Sequence, residues 1–446
     1  MTQFRAKHLP VQTGPAAWNA ILGPQDPYPS LDEDLTADFV VVGAGFAGLS
    51  AARRLTQLDP RAKIVILEAG RVAEGAAGRN SGFMVDLPHN LSSADYLGDG
   101  DDAQAIALNR KAISFGAEAV EEYGIKPDFF DRRGKVNGAA SDVASAHNKT
   151  YGEHLKALGE PSEDLDAQAM FELTGSRYYS SGLFTPGTVV LQPAGYIRGL
   201  AAGVSRAGVA VFEQSPVTSF ERKGSGWSVQ TPKGSVQTDK VVLTVNGHLE
   251  SFGIERGRLM QIFLFATMTP DLDAEQQAML GGEPRWGITP SDPMGTTVRR
   301  IDTPLGGHRI ITRTCAVLRT GMKAHSSDVD RAARVMRHKF DDRFPQLAGL
   351  KMEHSWAGHL CLSRNSVAVM REVETGVYSG CVQNGLGTAR GTLTGIGAAE
   401  MACGVVSEIT QHFGQETRPV RLPPNPFLNL GANAVLRWKE WAARTE

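Results

Sequence analysis

Unbroken apolar runs open the chain after residue 36, and alternating runs fill its second half. "ADFVVVGAGFAGLSAARRL" (37–55) reads as a buried strand, a glycine turn and a helix, and "AKIVILEAG" (62–70) as a second buried strand. Strands covered on both faces lose polar alternation, so this stretch predicts a parallel βαβ unit. Residues 102–124 carry helical spacing that stops at Gly124. The stretch 192–247 reads as helix, strand, hairpin and strand, with "GSGW" and "PKGS" as turns. Between 258 and 322, "LMQIFLFATMT", "TTVRRID" and "HRIITRT" alternate and predict an antiparallel sheet. An amphipathic helix follows in "SSDVDRAARVMRHKFDDRFPQL", with Ser326 or Ser327 as expected N-cap. Residues 376–404 read as strand, loop and helix, and "AVLRWKEWAARTE" as a closing helix. Residues 1–36, rich in Pro, Gly and Asp and without periodicity, are expected to form an extended arm anchored by Trp18.

Composition narrows the classes. A chain of 446 residues with 41% hydrophobic and 21% charged residues has room for two or three structural regions. A net charge of −2 gives no broad electrostatic case for nucleic acid or an anionic membrane. The four cysteines (Cys315, Cys361, Cys381, Cys403) lack the spacing of a zinc site or a disulfide framework, so no metal is expected. No signal-peptide core or membrane-spanning run is visible, and a soluble, cytoplasmic protein is expected.

Gly43-x-Gly45-x-x-Gly48 lies between the first strand and its helix, and Glu68 ends the next strand. Gly43 permits the tight turn, Gly45 the approach of a pyrophosphate, and Gly48 the packing of helix on strand. The segment Gly43, Ala44, Gly45, Phe46, Ala47, Gly48 thus places a helix N-terminus against phosphates, with Glu68 and Ala69 beside the ribose. The acid disfavours a 2′-phosphate, but the motif does not separate FAD from NAD. A second run, "EGAAGRNSGFMVDLPH" (74–89), is small and flexible, as either a surface loop or a backbone lying against a planar cofactor would require.

With "IVILEAGRVAEGAAGRNSGF", "LQPAGYIRGLAAG", "VVLTVNG" and "NGLGTARGTLTGIGAAEMACG" in that order, residues 17–430 resemble the D-amino-acid-oxidase-type FAD-dependent oxidoreductases. Within that superfamily of glycine and sarcosine oxidases, the opening looks most like the gamma-glutamylputrescine oxidase branch. The resemblance implies an α/β fold, with a Rossmann-like FAD-binding domain discontinuous in sequence. Beside it stands an α+β substrate domain with a mainly antiparallel sheet. The expected division is an arm (1–36), FAD-binding parts at 37–100, 191–255 and 351–425, a helical substrate part (101–190), the substrate sheet and helix (256–350), and a C-terminal helix (426–446). The resemblance further implies that Ala76, Ala77, Gly78, Arg79, Asn80 and Ser81 wrap the cofactor and that the main chain of Val217 meets the adenine. It brings Gly385, Leu386, Gly387 and Thr388 to the pyrimidine end of the flavin.

The implied reaction is oxidation of the C–N bond of a secondary or N-substituted amine, or of an amino-acid derivative, to an imine by hydride transfer to flavin N5. The partners are a small-molecule amine and oxygen or another electron acceptor. Rival readings are an NAD-dependent dehydrogenase, a flavin-dependent dehydrogenase of a hydroxy acid, and a non-catalytic FAD-binding protein. The chain departs from the family where many members read Trp-Ala-Gly-x-Arg-Pro and then Asp. Here "WAGHLCLSRNSVAV" has Leu360 at the arginine and Asn365 at the acid, which puts an ordinary small α-amino acid in doubt. Cys361 lies several residues from the cysteine that links flavin in some members, so FAD is expected to bind non-covalently. Candidate substrate-pocket residues are Met84, His89, Arg300 and His359. Alternation puts Arg299 and Arg300 on opposite faces of the sheet and Arg309 and Arg313 on one face, and it gives Phe263 and Phe265 a shared face. No catalytic base is identified.

Overall fold

The structure, a computed structural model, describes residues 2–87, 102–292 and 294–446. The predicted βαβ unit forms its centre. Asp34–Val42 pairs in parallel with Ile64–Leu67 on one side and with Ser235–Leu243 on the other. Among the described residues the sheet has nine strands, running from Gln3–Arg5 through the 219–243 meander to Ala210–Phe212, with Val369–Glu374 and Val377–Cys381 attached beside Ser235–Leu243. One layer thus gathers strands from widely separated stretches of sequence.

Val41, Ile64 and Ile66 share a core with helices Phe46–Leu58, Asp102–Tyr123, Pro193–Arg206 and Ala389–Ala402. Val40, Val42, Val65 and Leu67, pointing the other way, pack with Phe220, Trp227 and Leu259. Burial on both faces explains the unbroken apolar runs. The first and last helices approach backbone to backbone. A Cβ at Gly395 would fall on the main chain of Ala47, and one at Gly48 on the carbonyl of Gly43. Both positions therefore exclude any side chain.

The second sheet runs His354–Ser363, Leu259–Met268, Gly307–Leu318, Thr297–Thr303 and Trp286–Pro290, and then continues through Lys135–Ala139 to the strands near 181 and 163. Its pairs are antiparallel except that of Trp286–Pro290 with Lys135–Ala139. Helix Ser326–Arg343 covers Phe263, Phe265, Val317 and Ala357. Its N-cap is His325, one residue before the expected serines, because the Asp328 carboxylate accepts the His325 N–H at 2.9 Å and fixes the turn there.

The arm is ordered by pairing rather than by its own periodicity. Gln3–Arg5 adds to the first sheet against Ser219–Lys223. Thr13 reaches the second sheet, donating its hydroxyl to Ala324 and accepting the Ala357 N–H. Trp18 is fully buried and donates its indole N–H to the Asn80 carbonyl at 2.9 Å. No helix among the described residues is long and apolar enough to cross a membrane.

Candidate cofactor and substrate site

A cavity of about 1940 Å³, mouth included, lies between the two sheets. Gly43, Ala44, Gly45, Phe46 and Ala47 form one end of it. Gly43 turns at φ +104°, and the helix beginning at Phe46 has Gly45 as N-cap without any side-chain cap. Its first N–H groups therefore have no internal acceptor and face the cavity, the arrangement that receives phosphate oxygens. A Cβ at Gly45 would touch only Ala77 at 3.5 Å and would otherwise fill this opening.

Glu68 and Ala69 line the same end. The Glu68 carboxylate accepts from the N–H groups of Ala44 at 2.8 Å and Gly70 at 3.0 Å. Burial pushes its pKa up despite those bonds. Each oxygen keeps a lone pair for a hydroxyl donor. Val217 also lines the cavity, whereas Gly48 serves only to pack the helix.

The stretch after Glu74 makes one 3-10 turn, Ala76–Gly78, and then runs along the cavity wall. Ala76, Ala77, Arg79, Asn80 and Ser81 line it, while Gly78 packs on the Ala73 carbonyl. Asn80 holds the turn, donating to Ala77 at 2.6 Å and accepting from the Gly82 N–H at 2.8 Å. The Arg79 guanidinium is caged by carbonyls: Glu74 at 2.6 Å, Gly14 at 2.9 Å, and Thr13 and Ala357 at 3.2 Å. Its own carbonyl accepts the Trp356 indole N–H at 3.0 Å. Arg79 thus ties arm, loop and second sheet together. Arg299 supports the loop from beneath, donating to Ser81 at 2.8 Å and Leu191 at 2.7 Å.

From the far end of the chain, Gln383, Gly385, Gly387 and Gly391 reach the cavity. Leu386 and Thr388 are not among the lining residues; the Thr388 hydroxyl donates to the Phe83 carbonyl at 2.7 Å.

His359 lines the second-sheet wall. Its Nε2 lies 2.9 Å from Gln261 Oε1, while the Gln261 amide donates to Glu250 at 2.9 Å and Gly247 at 3.2 Å. With the amide so oriented, His359 Nε2 carries the proton and Nδ1 is an acceptor. The ring stacks on Phe263 at 4.9 Å and meets His248 edge-on at 5.3 Å. Burial, helped by His248, holds His359 neutral with its pKa down at about 3, and burial takes His248 down to about 4. Buried His248 Nδ1 has no partner among the described residues.

Of the other pocket candidates, Met84 is fully buried in the core and lies outside the cavity lining. Arg300 is also outside it, since alternation turns its guanidinium to the other side of the sheet, where it donates to the Gly281 carbonyl. His89 lies outside the described residues. Cys361 is buried with its thiol pKa pushed up, and Asn365 bonds to Thr417 and Arg418 away from the cavity. Leu360 and Arg313 do line it.

Sequence reasoning missed two stretches of wall. Residues 6 and 8–12 of the arm contribute, although nothing periodic marks them. Thr244, Val245, Asn246 and His248, directly after the strand ending at Leu243, contribute as well, and the motif "TVNG" at that strand end was the available signal.

A sheet with parallel strands at its centre, offering an uncapped helix end and a buried acid and facing an antiparallel sheet across a loop of small residues, defines a dinucleotide flavoprotein. The chain belongs to the FAD dependent oxidoreductase family (DAO), whose model matches residues 38–401. It is an FAD-dependent oxidoreductase.

Among curated relatives, the probable oxidoreductase OrdL of Haemophilus influenzae is 27% identical over 392 residues, covering 84% of this chain and 85% of its own. Gamma-glutamylputrescine oxidoreductase of Escherichia coli (strain K12) is 25% identical over 364 residues, 79% and 80% of the two chains. L-2-hydroxyglutarate dehydrogenase of the same strain is 24% identical over 213 residues, 47% of each. Glycine oxidase from Geobacillus kaustophilus superposes with a TM-score of 0.67 at 16% identity, covering 84% of this chain and 96% of that one, which shows a shared fold.

Proposed function

We propose that this oxidoreductase oxidises the C–N bond of a secondary or N-substituted amine, or of an amino-acid derivative, to an imine. Bound non-covalently, FAD supplies the two-electron acceptor for that oxidation. The residues proposed to hold it are those of the uncapped helix end, Glu68 and the 76–81 loop, with Val217 at the adenine end and Gly385 and Gly387 from the C-terminal segment.

The observation that favours an amine is the buried His359–His248 pair, held neutral at the cavity wall. An alcohol donor needs a base to take its hydroxyl proton as the C–H bond breaks, and a useful base has a pKa near the working pH. Burial takes His359 and His248 down to about 3 and 4, far too weak for that task. A neutral amine needs no such base, because its own lone pair assists hydride loss. The same wall desolvates the amine and so favours its uncharged form. His359 Nδ1 is an acceptor suited to the N–H of a secondary amine, and Gln261, held by Glu250, fixes the ring for that contact.

The relative that bears a hydroxy-acid name keeps the alternative donor specific enough to test. Anaerobic single-turnover reduction should be followed against pH for secondary amines of different basicity. The reading expects the rising limb of reduction rate over substrate affinity to move with the pKa of each free amine. A limb fixed at one pH for all amines, or reduction by 2-hydroxy acids alone, would overturn it.

A further inference from the structure

We infer that Arg313 holds an anionic group of the substrate, a carboxylate in the first instance, and so sets the enzyme's preference among amines; this rests on the amine reading above. Arg313 stands on Gly307–Leu318 directly opposite Ala266 and lines the cavity with Ile311, two residues earlier on the same face. Register passes from Phe265↔Thr314 to Leu264↔Ala316, so Cys315 is the extra residue of a bulge, and it sits at φ 65°. A non-glycine residue in the left-handed region is strained, and bulges re-aim side chains beside sites.

The arginine's surroundings carry the argument. Arg79 is held by main-chain carbonyls, Arg299 gives one guanidinium nitrogen to carbonyls though its Nε has no partner among the described residues, and Arg309 pairs with Glu353. Arg313 has no hydrogen-bond or ion-pair partner among the described residues, and burial lowers its pKa from the ordinary guanidinium value. Ile311, Ala266, Leu264 and Leu360, which share the cavity, are apolar. A guanidinium in an apolar wall is costly until an anion meets it, and its planar fork fits a carboxylate through two parallel hydrogen bonds. The anion is not the cofactor's pyrophosphate, because the uncapped helix end that receives phosphate belongs to the other sheet.

The test uses the FAD-loaded wild type, Arg313→Gln and Arg313→Lys. Anaerobic flavin reduction is measured with a panel of N-alkyl amino acids, each paired with its primary amide, and FAD content is measured for each protein. Propionate, which carries a carboxylate and no amine, is titrated against the flavin spectrum. In Arg313→Gln with FAD retained, the acid-to-amide ratio of kcat/KM should fall by about 10- to 100-fold, and the propionate-induced spectral shift should disappear. Arg313→Lys should fall between, keeping charge without the fork. Should Arg313→Gln fail to fold, the Lys variant and wild-type propionate binding decide alone.

An unchanged ratio, or equal loss for acid and amide, would overturn the inference. Loss of FAD from both variants would do the same by assigning Arg313 to the cofactor. Were no amine to reduce the wild type, the amine reading would fall. The anchor would then stand on propionate binding abolished by Arg313→Gln, and would fall if the wild type showed none.

Discussion

Replacing Arg79 with methionine keeps the aliphatic stem and removes the guanidinium whose four bonds join Glu74, Thr13, Gly14 and Ala357. A net hydrogen bond contributes roughly 0.5–1.5 kcal/mol. The lower half of that range applies here, because carbonyls at the cavity edge regain water once the cation is gone. Two of the four, to Thr13 and Gly14, hold the arm and sum to about 1–2 kcal/mol lost from its docking, while the bonds to Glu74 and Ala357 tie the loop to itself and to the second sheet. The loss should appear where arm and sheet share amides: the Ala357 N–H on the Thr13 carbonyl and the Ala6 N–H on Thr218. At about 1.4 kcal/mol per decade, native-state hydrogen exchange at both should speed up by roughly 0.7 to 1.4 decades. Exchange within the Asp34–Val42 strand should hardly change. Trypsin should also cut at Arg5 and Lys7, both exposed but protected by pairing of the arm. Wild-type exchange at Ala6 and Ala357, with unchanged trypsin resistance, would refute the idea that Arg79 is the staple of the arm.

Gly45→Val should place a branched side chain in the opening before Phe46, and the purified variant should lose most of its FAD while keeping its fold by circular dichroism; wild-type stoichiometry would contradict the position given to the fingerprint. Acid should destabilise the enzyme through His359 and His248, because their folded pKa values, about 3 and 4, lie below the ordinary value of 6.5. The unfolded chain takes up protons that the native state refuses, so the stability contribution is complete above about pH 6.5 and falls as pH drops toward 4, by at most about 1.4 kcal/mol per pH unit for each ring. His359→Asn should flatten the dependence of the urea midpoint on pH between about 4 and 6.5, and an unchanged slope would mean that the ring is not held neutral.

The centre of the fold was legible because its signals are local. Strand burial on both faces removes alternation at 39–42 and 64–67, and Gly48 is fixed by a backbone contact that no other residue permits. The cavity wall was legible only in part. Alternation put Arg299 and Arg300 on opposite sides, but which side faces the cavity depends on how the second sheet packs. That packing sent Arg300 to Gly281 and left Arg313 in the wall. Arg79 was expected beside the cofactor, and it does line the cavity, yet its guanidinium points into a cage of carbonyls supplied by residues 13, 14, 74 and 357. Distances that long in sequence leave no periodic trace. The arm itself takes its order from Ser219–Lys223, a partner its own composition does not announce.

The central claim is that an amine gives up its electrons to FAD in the cavity between the two sheets. The most direct measurement is the anaerobic visible spectrum of the purified holoenzyme before and after addition of N-methylated, polyamine-derived and other secondary amines, with matching 2-hydroxy acids as controls. The account predicts flavin bands that bleach with at least one class of amine and stay oxidised with every hydroxy acid. Bands that bleach only with a hydroxy acid, or with no donor, would contradict it.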